Sequence, residues 1–278
     1  MTCHNRSAST LRSLHALRAQ DGSGAAVTVY LVDDGSTDDT RAAVGAEFPE
    51  VRILAGDGQL FWGGGMAFAF STALRDGHDY YLWLNDDTEL FPDALLRLLH
   101  EAASLRESRG EAIVVGATCD PATGAPTYGG IRRSGWVPWR YEMAANVTER
   151  RRCATFHGNC VLIPDAIARK VGVIDPAFRH YVGDIDYGFR AGRAGFEIWL
   201  APGFAGTCAR GEKPCRPMPR LREALAELRG PKGLQLSDAT LVSFAEWWRF
   251  ANRHGGALRL VYFLWPYRRL LRCLRVRG

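Results

Sequence analysis

The sequence predicts an α/β fold: a mostly parallel sheet flanked by helices, with a helical extension at the C-terminal end. Two observations carry this. Apolar runs of strand length, Val27–Val32 and Tyr81–Leu84, alternate with stretches of helical spacing, which is the pattern of βαβ units. Both runs then break abruptly into adjacent carboxylates, Asp33-Asp34 and Asp86-Asp87. In open α/β sheets ligands bind at the carboxyl ends of the strands, so both pairs fall where a site forms.

The elements follow in order. Leu11, Leu14 and Leu17 recur at helical spacing, and Ser9 or Thr10 serves as N-cap for a helix to Gln20. Val27–Val32 is rich in β-branched residues and reads as a strand ending in the turn residues Asp33 to Asp38. A helix to Glu47 stops at Pro49, and Val51–Ala55 is a short strand. Gly63-Gly64-Gly65 opens a helix to Arg75, and Tyr80–Leu84 is the next strand. Pro92 and Asp93 start a helix over Ala94–Ser104, and Ala112–Ala117 is again a strand. Residues 120–152 are irregular and bear Gly, Pro and Trp; they read as a long functional loop or an antiparallel excursion. Cys160–Ile163 is a strand ended by Pro164, followed by helices near 165–171 and after Asp184, and a late strand at Phe196–Leu200.

A chain of 278 residues with 47% hydrophobic and 23% charged residues is ordinary for a globular protein with a full core. The net charge of +5 is uneven. Residues 231–278 hold nine Lys/Arg against Asp238 and Glu246, a net +7, so the rest of the chain is slightly acidic. Seven cysteines without a CxxC pair suggest neither a disulfide framework nor a zinc knuckle, and fit a reducing cytoplasm. No secretory leader opens the sequence, and no run of 18 apolar residues occurs. With the basic charge confined to the tail and no recognition motif, nucleic acid is not an expected partner.

Three acidic clusters remain: Asp33/Asp34, Asp86/Asp87 and Asp184/Asp186. Sheet topology can bring the first two to one edge. Paired carboxylates suit Mg²⁺ or Mn²⁺ bridging to substrate phosphates, and a separate carboxylate suits a general base. Taken alone, each is equally a solvated acidic turn. A dinucleotide-binding glycine pattern and a P-loop are absent.

Thr2-Cys3-His4-Asn5-Arg6, Val32 to Asp38, Asn85-Asp86-Asp87-Thr88 and Gly183-Asp184-Ile185-Asp186-Tyr187 together resemble the ordered motifs of family 2 glycosyltransferases of bacterial surface-glycan type. The resemblance covers residues 1–210 and implies a GT-A type, Rossmann-like catalytic domain, with residues 211–278 as a basic, aromatic-rich helical extension. It implies inverting sugar transfer from a nucleotide-diphosphate sugar, assisted by Mn²⁺ or Mg²⁺. By that resemblance Thr2, Asp33 and Asp34 line the base and ribose pocket, and Asp86 and Asp87 match the DxD-type motif, Asp86 contacting the nucleotide sugar and Asp87 being the direct metal ligand. Gly64 and Gly65 close over the nucleotide sugar. Asp184 is the base with Asp186 as a second candidate, and His157, Asn159 and Trp136 lie near the acceptor. The implied acceptor is a glycan or a lipid-linked glycan.

The sequence departs from the family pattern at three places. The family has an apolar strand before the segment matching Thr2; the expectation is either a very short strand here or a native start further upstream. Gly183 replaces the acid that precedes the base. Gly206-Thr207-Cys208 stands where the family often has a metal-binding histidine, and Cys208 is a soft ligand or a buried structural thiol. Trp62, Trp136 and Trp139 either stack on a sugar or base or pack, and Arg132, Arg133 and Arg150–Arg152 either meet an anion or are solvated. The tail from Trp247 to Arg269 mixes aromatics with arginines, the composition of an interfacial helix on an anionic membrane surface. The expectation is therefore a cytoplasmic protein peripheral on the inner face of the plasma membrane, the alternative being a helix packed on the main domain. The rival functions are a sugar-nucleotide nucleotidylyltransferase and a non-catalytic, membrane-associated nucleotide-binding scaffold.

Overall fold

The structure is a computed structural model that describes residues 1–134, 141–144, 148–211, 219–236 and 240–271. Trp136, Trp139, Cys215 and Cys273 lie outside the described residues. The chain divides into two units, one of Met1–Pro176 with Asp184–Arg210 and one of Ala177–Gly183 with Gly211–Gly278.

In the first unit, β1 (Thr2–Cys3) is only two residues long and leads to α1 (Ser7–Arg18), β2 (Tyr30–Asp33), α2 (Thr40–Glu47) and β3 (Arg52–Ala55). These three strands form a parallel sheet in the order β1-β2-β3. Next come α3 (Phe61–Asp76), β4 (Tyr80–Leu84), β5 (Glu89–Leu90), α4 (Ala94–Arg109) and β6 (Ala112–Cys119). The irregular stretch after β6 is an antiparallel excursion: β7 (Pro126–Tyr128), β8 (Gly130–Arg133), β9 (Tyr141–Ala144), β10 (Arg151–Cys153) and β11 (Thr155–Phe156). The unit ends with β12 (Cys160–Pro164), α5 (Asp165–Val171), α6 (Gly183–Arg193) and β13 (Glu197–Thr207). The larger sheet runs β10-β13-β6-β12-β4. β13 is parallel to β6, whereas β12 lies antiparallel between β4 and β6.

Successive strand residues point to opposite faces, and both faces are covered. Val32, Trp83, Val115, Val161 and Ile163 join one core with Met66, Phe70 and Tyr187. Their neighbours Leu31, Leu84, Val114 and Leu162 join the other, with Leu14, Val44, Leu98 and Leu105. This explains why the strands read as continuous apolar runs. β2 starts three residues later than the apolar run suggests. Val27–Val29 line a cavity of ≈ 730 Å³ shared with Met1, Phe70 and Tyr80–Leu84, and β1 is too short to pair with them. The cavity runs along β4, and Asp33, Asp34, Asp86 and Asp87 are not among the residues that line it.

The second unit contains α7 (Leu221–Glu227), β14 (Leu234–Gln235), β15 (Thr240–Leu241), α8 (Phe244–His254) and α9 (Arg259–Tyr267). Its core gathers Ala224, Leu228, Leu234, Leu236, Leu241 and Tyr267. Glu246 is buried and accepts hydrogen bonds from the backbone of Arg179 and Tyr181.

Candidate active site

Two loops after adjacent parallel strands are tied together first. His4, Asn5 and Arg6 follow β1. His4 Nδ1 bonds to Asp34 O at 2.7 Å, and Asn5 Oδ1 accepts from the backbone of Thr37 and Asp38 at 2.7 and 3.2 Å. Asn5 takes a left-handed φ of 52° to do so, a conformation asparagine tolerates better than most residues. This places Arg6 over the turn after β4. Its Nη1 lies 2.7 Å from Asp87 Oδ2 and 3.3 Å from Asp86 Oδ1.

The carboxylates then separate by role. Asp33 is buried and accepts from Ser36 N at 3.1 Å. Both oxygens of Asp34 are used by backbone: Gly58 N at 2.8 Å and Phe61 N at 2.9 Å. Asp34 therefore shapes the turn into α3. Thr2 is buried against the start of α3, where a Cβ on Gly65 would sit 2.2 Å from Thr2 Oγ1. Gly65 is thus required by close packing, and Gly64 lies beside it in the same buried first turn.

Asp86 is 6% exposed, and its Oδ2 is buried with no hydrogen-bond partner. Burial pushes its pKa up to about 6, against the pull of Arg6. Asp87 is half-buried, and its Oδ1 accepts from the Cys208 thiol at 3.4 Å. Burial, then Asp87, pushes that thiol up to about 12, so it stands protonated as a donor.

A single segment, His157-Gly158-Asn159, joins this turn to the third cluster. Gly158 N donates to Asp184 Oδ2 at 2.8 Å, and Ile185 N donates to Asp184 Oδ1 at 2.8 Å. Asn159 Nδ2 donates to Cys208 Sγ at 3.5 Å, and Asn159 O accepts from Asn85 N at 3.1 Å. Burial raises the pKa of Asp184, opposed by His157; burial likewise lowers His157, opposed by Asp184. A Cβ on Gly158 would meet Trp62 at 2.7 Å, so glycine lets the tryptophan close on this segment. Trp62 Nε1 donates to Asn85 Oδ1 at 2.8 Å.

Asp86, Asp87, His157, Asn159 and Asp184 are therefore brought together. Asp186 is not: it is fully buried and paired with Arg190 at 2.8 Å, four residues along α6. Arg190 also donates to Val171 O and Val173 O. Arg132, Arg150 and Arg152 pair with Glu142, Glu101 and Glu197, so each has an anionic partner within the chain. Arg6 is the residue whose role sequence reasoning missed. Its signal was an arginine closing the Thr2–Arg6 motif, three residues beyond the end of β1.

Residues 1–172 match the family described as Glycosyl transferase family 2. The chain belongs to glycosyl transferase family 2. This family 2 chain is 26% identical over 199 residues to the N-acetylglucosaminyl-diphospho-decaprenol L-rhamnosyltransferase of Mycobacterium tuberculosis, in strains CDC 1551 and H37Rv. The match covers 63% of this chain and 63% of that relative, so it spans less than two thirds of the relative's length. Its structure is similar to that of GalNAc-T7 with UDP, GalNAc and Mn²⁺, with a TM-score of 0.56 at 13% identity over 75% of this chain and 42% of the other. It is also similar to S. aureus TarS 1–349, with a TM-score of 0.53 at 13% identity over 75% and 58%. At such identity these likenesses show the fold, the GT-A type expected for family 2.

A divalent cation fits this site. The orphaned Asp86 oxygen and the half-buried Asp87 carboxylate supply hard oxygen donors, and a cation of the Mg²⁺ class takes its remaining ligands from phosphates and water. Among the described residues no group of three or more His, Cys, Asp or Glu stands ready to hold a metal alone.

Neutralising Asp86 has a predictable cost and benefit. Its native pKa of about 6 exceeds the ordinary 3.8, so between those values the native state binds more protons than the unfolded chain. Stability therefore falls as pH rises through that window. In chelator, Asp86→Asn is expected to stabilise the ligand-free protein by about 2 kcal/mol near neutral pH. The difference should vanish below about pH 4, where both side chains are neutral. Urea melts at both pH values check this; a variant no more stable at neutral pH would refute it.

Proposed function

We propose that this chain is an inverting glycosyltransferase that moves a hexosyl or deoxyhexosyl group from a nucleotide-diphosphate sugar to a hydroxyl of a glycan or lipid-linked acceptor. The observation that carries the reading is the His157–Asn159 segment, which ties Asp184 at one end to the Asp87 turn at the other. Such a site has a proton acceptor and a diphosphate-holding pole within one rigid frame.

Asp184 takes the proton from the acceptor hydroxyl, whose oxygen bonds to the anomeric carbon as the bond to the diphosphate breaks. The nucleoside diphosphate leaves with the electron pair, and the attack from the opposite face inverts the centre. Gly158 N and Ile185 N hold the carboxylate in place, and its raised pKa makes it a better proton acceptor than a solvated aspartate. Asp186, held by Arg190, leaves this role to Asp184. Asp86 and Asp87 would hold Mn²⁺ or Mg²⁺, which when bound would neutralise charge on the leaving diphosphate. Arg6 balances both carboxylates otherwise, and would meet the same phosphates. Asp33 and Thr2 border the nucleotide, with His157 and Asn159 towards the acceptor. The mycobacterial relative's name supports a deoxyhexosyl donor and a polyprenyl-diphosphate-linked acceptor.

The test is a thermal-shift panel of UDP, GDP, dTDP and CDP, each with and without Mn²⁺, on wild type and Asp87→Ala. One diphosphate at a hundred times its Kd should stabilise the wild type by about 2.7 kcal/mol. That shift should require Mn²⁺ and disappear in Asp87→Ala. No shift with any nucleotide on folded protein would overturn the reading, and a shift without turnover of any matching sugar donor would favour the scaffold.

A further inference from the structure

The last helices of the second unit are apolar on two sides. On the inner side α9 packs on α8 through aromatic pairs: Tyr262 stacks on Trp247 at 5.6 Å, Tyr267 meets Phe244 at 4.7 Å, and Phe263 meets Trp248 at 5.2 Å. The Trp247 Nε1–H donates to the carbonyls of Tyr262 and Phe263, so the pairing is pinned as well as packed.

The other side carries Leu260, Val261, Leu264 and Trp265 at spacings of one, three and one, a single helical stripe. They are 59, 44, 60 and 45% exposed, and Leu258 just before them is 48% exposed. With Trp248 they make up six of the nine large apolar side chains exposed among the described residues. A contiguous apolar patch of this kind marks a docking surface.

The surrounding charge says what docks. Arg259 directly precedes the stripe and Arg268 and Arg269 follow it, and between Glu246 and the last residue, Gly278, the sequence contains no acidic residue. Glu246 itself is buried on backbone donors. Arg268 lies over the Trp265 ring at 3.9 Å, joining the charge to the apolar stripe. Two copies of this face would oppose like charges, which disfavours self-pairing. α9 is nine residues long, too short to cross a bilayer, so its stripe engages a membrane lying in the plane.

We propose that the Leu258–Trp265 face is a docking surface for an anionic lipid bilayer. Leu260, Val261, Leu264 and Trp265 enter the boundary of the acyl chains, and Arg259 and Arg268 meet lipid phosphates. Trp248 sits at headgroup level, where an amphipathic ring is favoured. This holds whether or not the first unit transfers sugar.

The experiment is flotation of the full chain with phosphatidylcholine vesicles and with phosphatidylcholine–phosphatidylglycerol vesicles. The variants are Leu260→Asp/Leu264→Asp and Arg259→Gln/Arg268→Gln, each first shown to keep the wild-type thermal midpoint. The wild type floats with the mixed vesicles and less so in high salt. The leucine pair abolishes flotation, and each arginine lost weakens partitioning about fivefold. Wild type absent from the floating fraction, or leucine-pair flotation equal to wild type, overturns the proposal. So does a wild-type dimer in sedimentation that the leucine pair dissociates, which would put a second copy on this face.

Discussion

Asp184→Asn is expected to lower kcat about a thousandfold, the middle of the range for removing a general base. The nucleoside-diphosphate thermal shift should survive, because the variant retains the Asp86/Asp87 turn and Arg6. A pH profile separates a base from a structural carboxylate. The base works deprotonated, so kcat/KM rises with pH through its pKa and then levels. Burial raises that pKa, so the rising limb lies above the range of a solvated aspartate. His157 pulls the value back down, so His157→Gln should move the limb to higher pH. A rate unchanged in Asp184→Asn, or a limb unmoved in His157→Gln, would remove the base assignment and leave Asp184 as a clamp on Gly158.

Trp83→Ala is expected to destabilise the protein by about 3–5 kcal/mol, a large part of the usual 5–15 kcal/mol total. Trp83 is 2% exposed at the centre of an aromatic cluster, with Tyr187, Phe70, Phe156 and Trp62 at centroid distances of 4.8, 5.5, 6.0 and 6.5 Å. It lies in β4 just before the carboxylate turn, so the hole opens beneath Asn85–Asp87. Trp83→Phe should lose less than half as much. Phenylalanine keeps ring contacts and removes a buried indole N–H that has no hydrogen-bond partner, a group that costs about 1–3 kcal/mol to bury. Urea unfolding of both variants checks this; equal losses would mean that the ring contacts contribute little.

The strands that end in acids were legible because the change from apolar run to carboxylate is abrupt and local. Parallel strands present their carboxyl ends to the same side, which is why the first two acidic pairs were expected at one edge. What stayed hidden was set by partners distant in sequence. The apolar run Cys160–Ile163 carries no direction, so its antiparallel place between β4 and β6 was not visible. β13 reads as ending at Leu200 because Pro202 and Gly203 follow, yet it continues to Thr207 through irregular pairing. Asp33 and Asp34 look alike in sequence, but only Asp34 has both oxygens taken by backbone. The spacing of Asp186 and Arg190 is that of a helical ion pair, and this local signal separates Asp186 from Asp184 without the fold.

The pairing of β12 with β4 sets Cys160 opposite Leu84, so Asn159 and Asn85 face each other one step beyond. The spacing between proton acceptor and carboxylate turn is therefore gauged by one ladder rung. A one-residue slip would exchange the two buried faces of β12 between the cores and move Gly158 off Asp184 together. Substitutions at either end alter one pole, but a single insertion or deletion between Cys153 and Pro164 would misalign both. Length changes in the loop joining β6 and β7 leave that gauge untouched. Lineages and libraries derived from this chain should accordingly vary in length around residues 120–125 while keeping the count from Cys153 to Pro164 fixed.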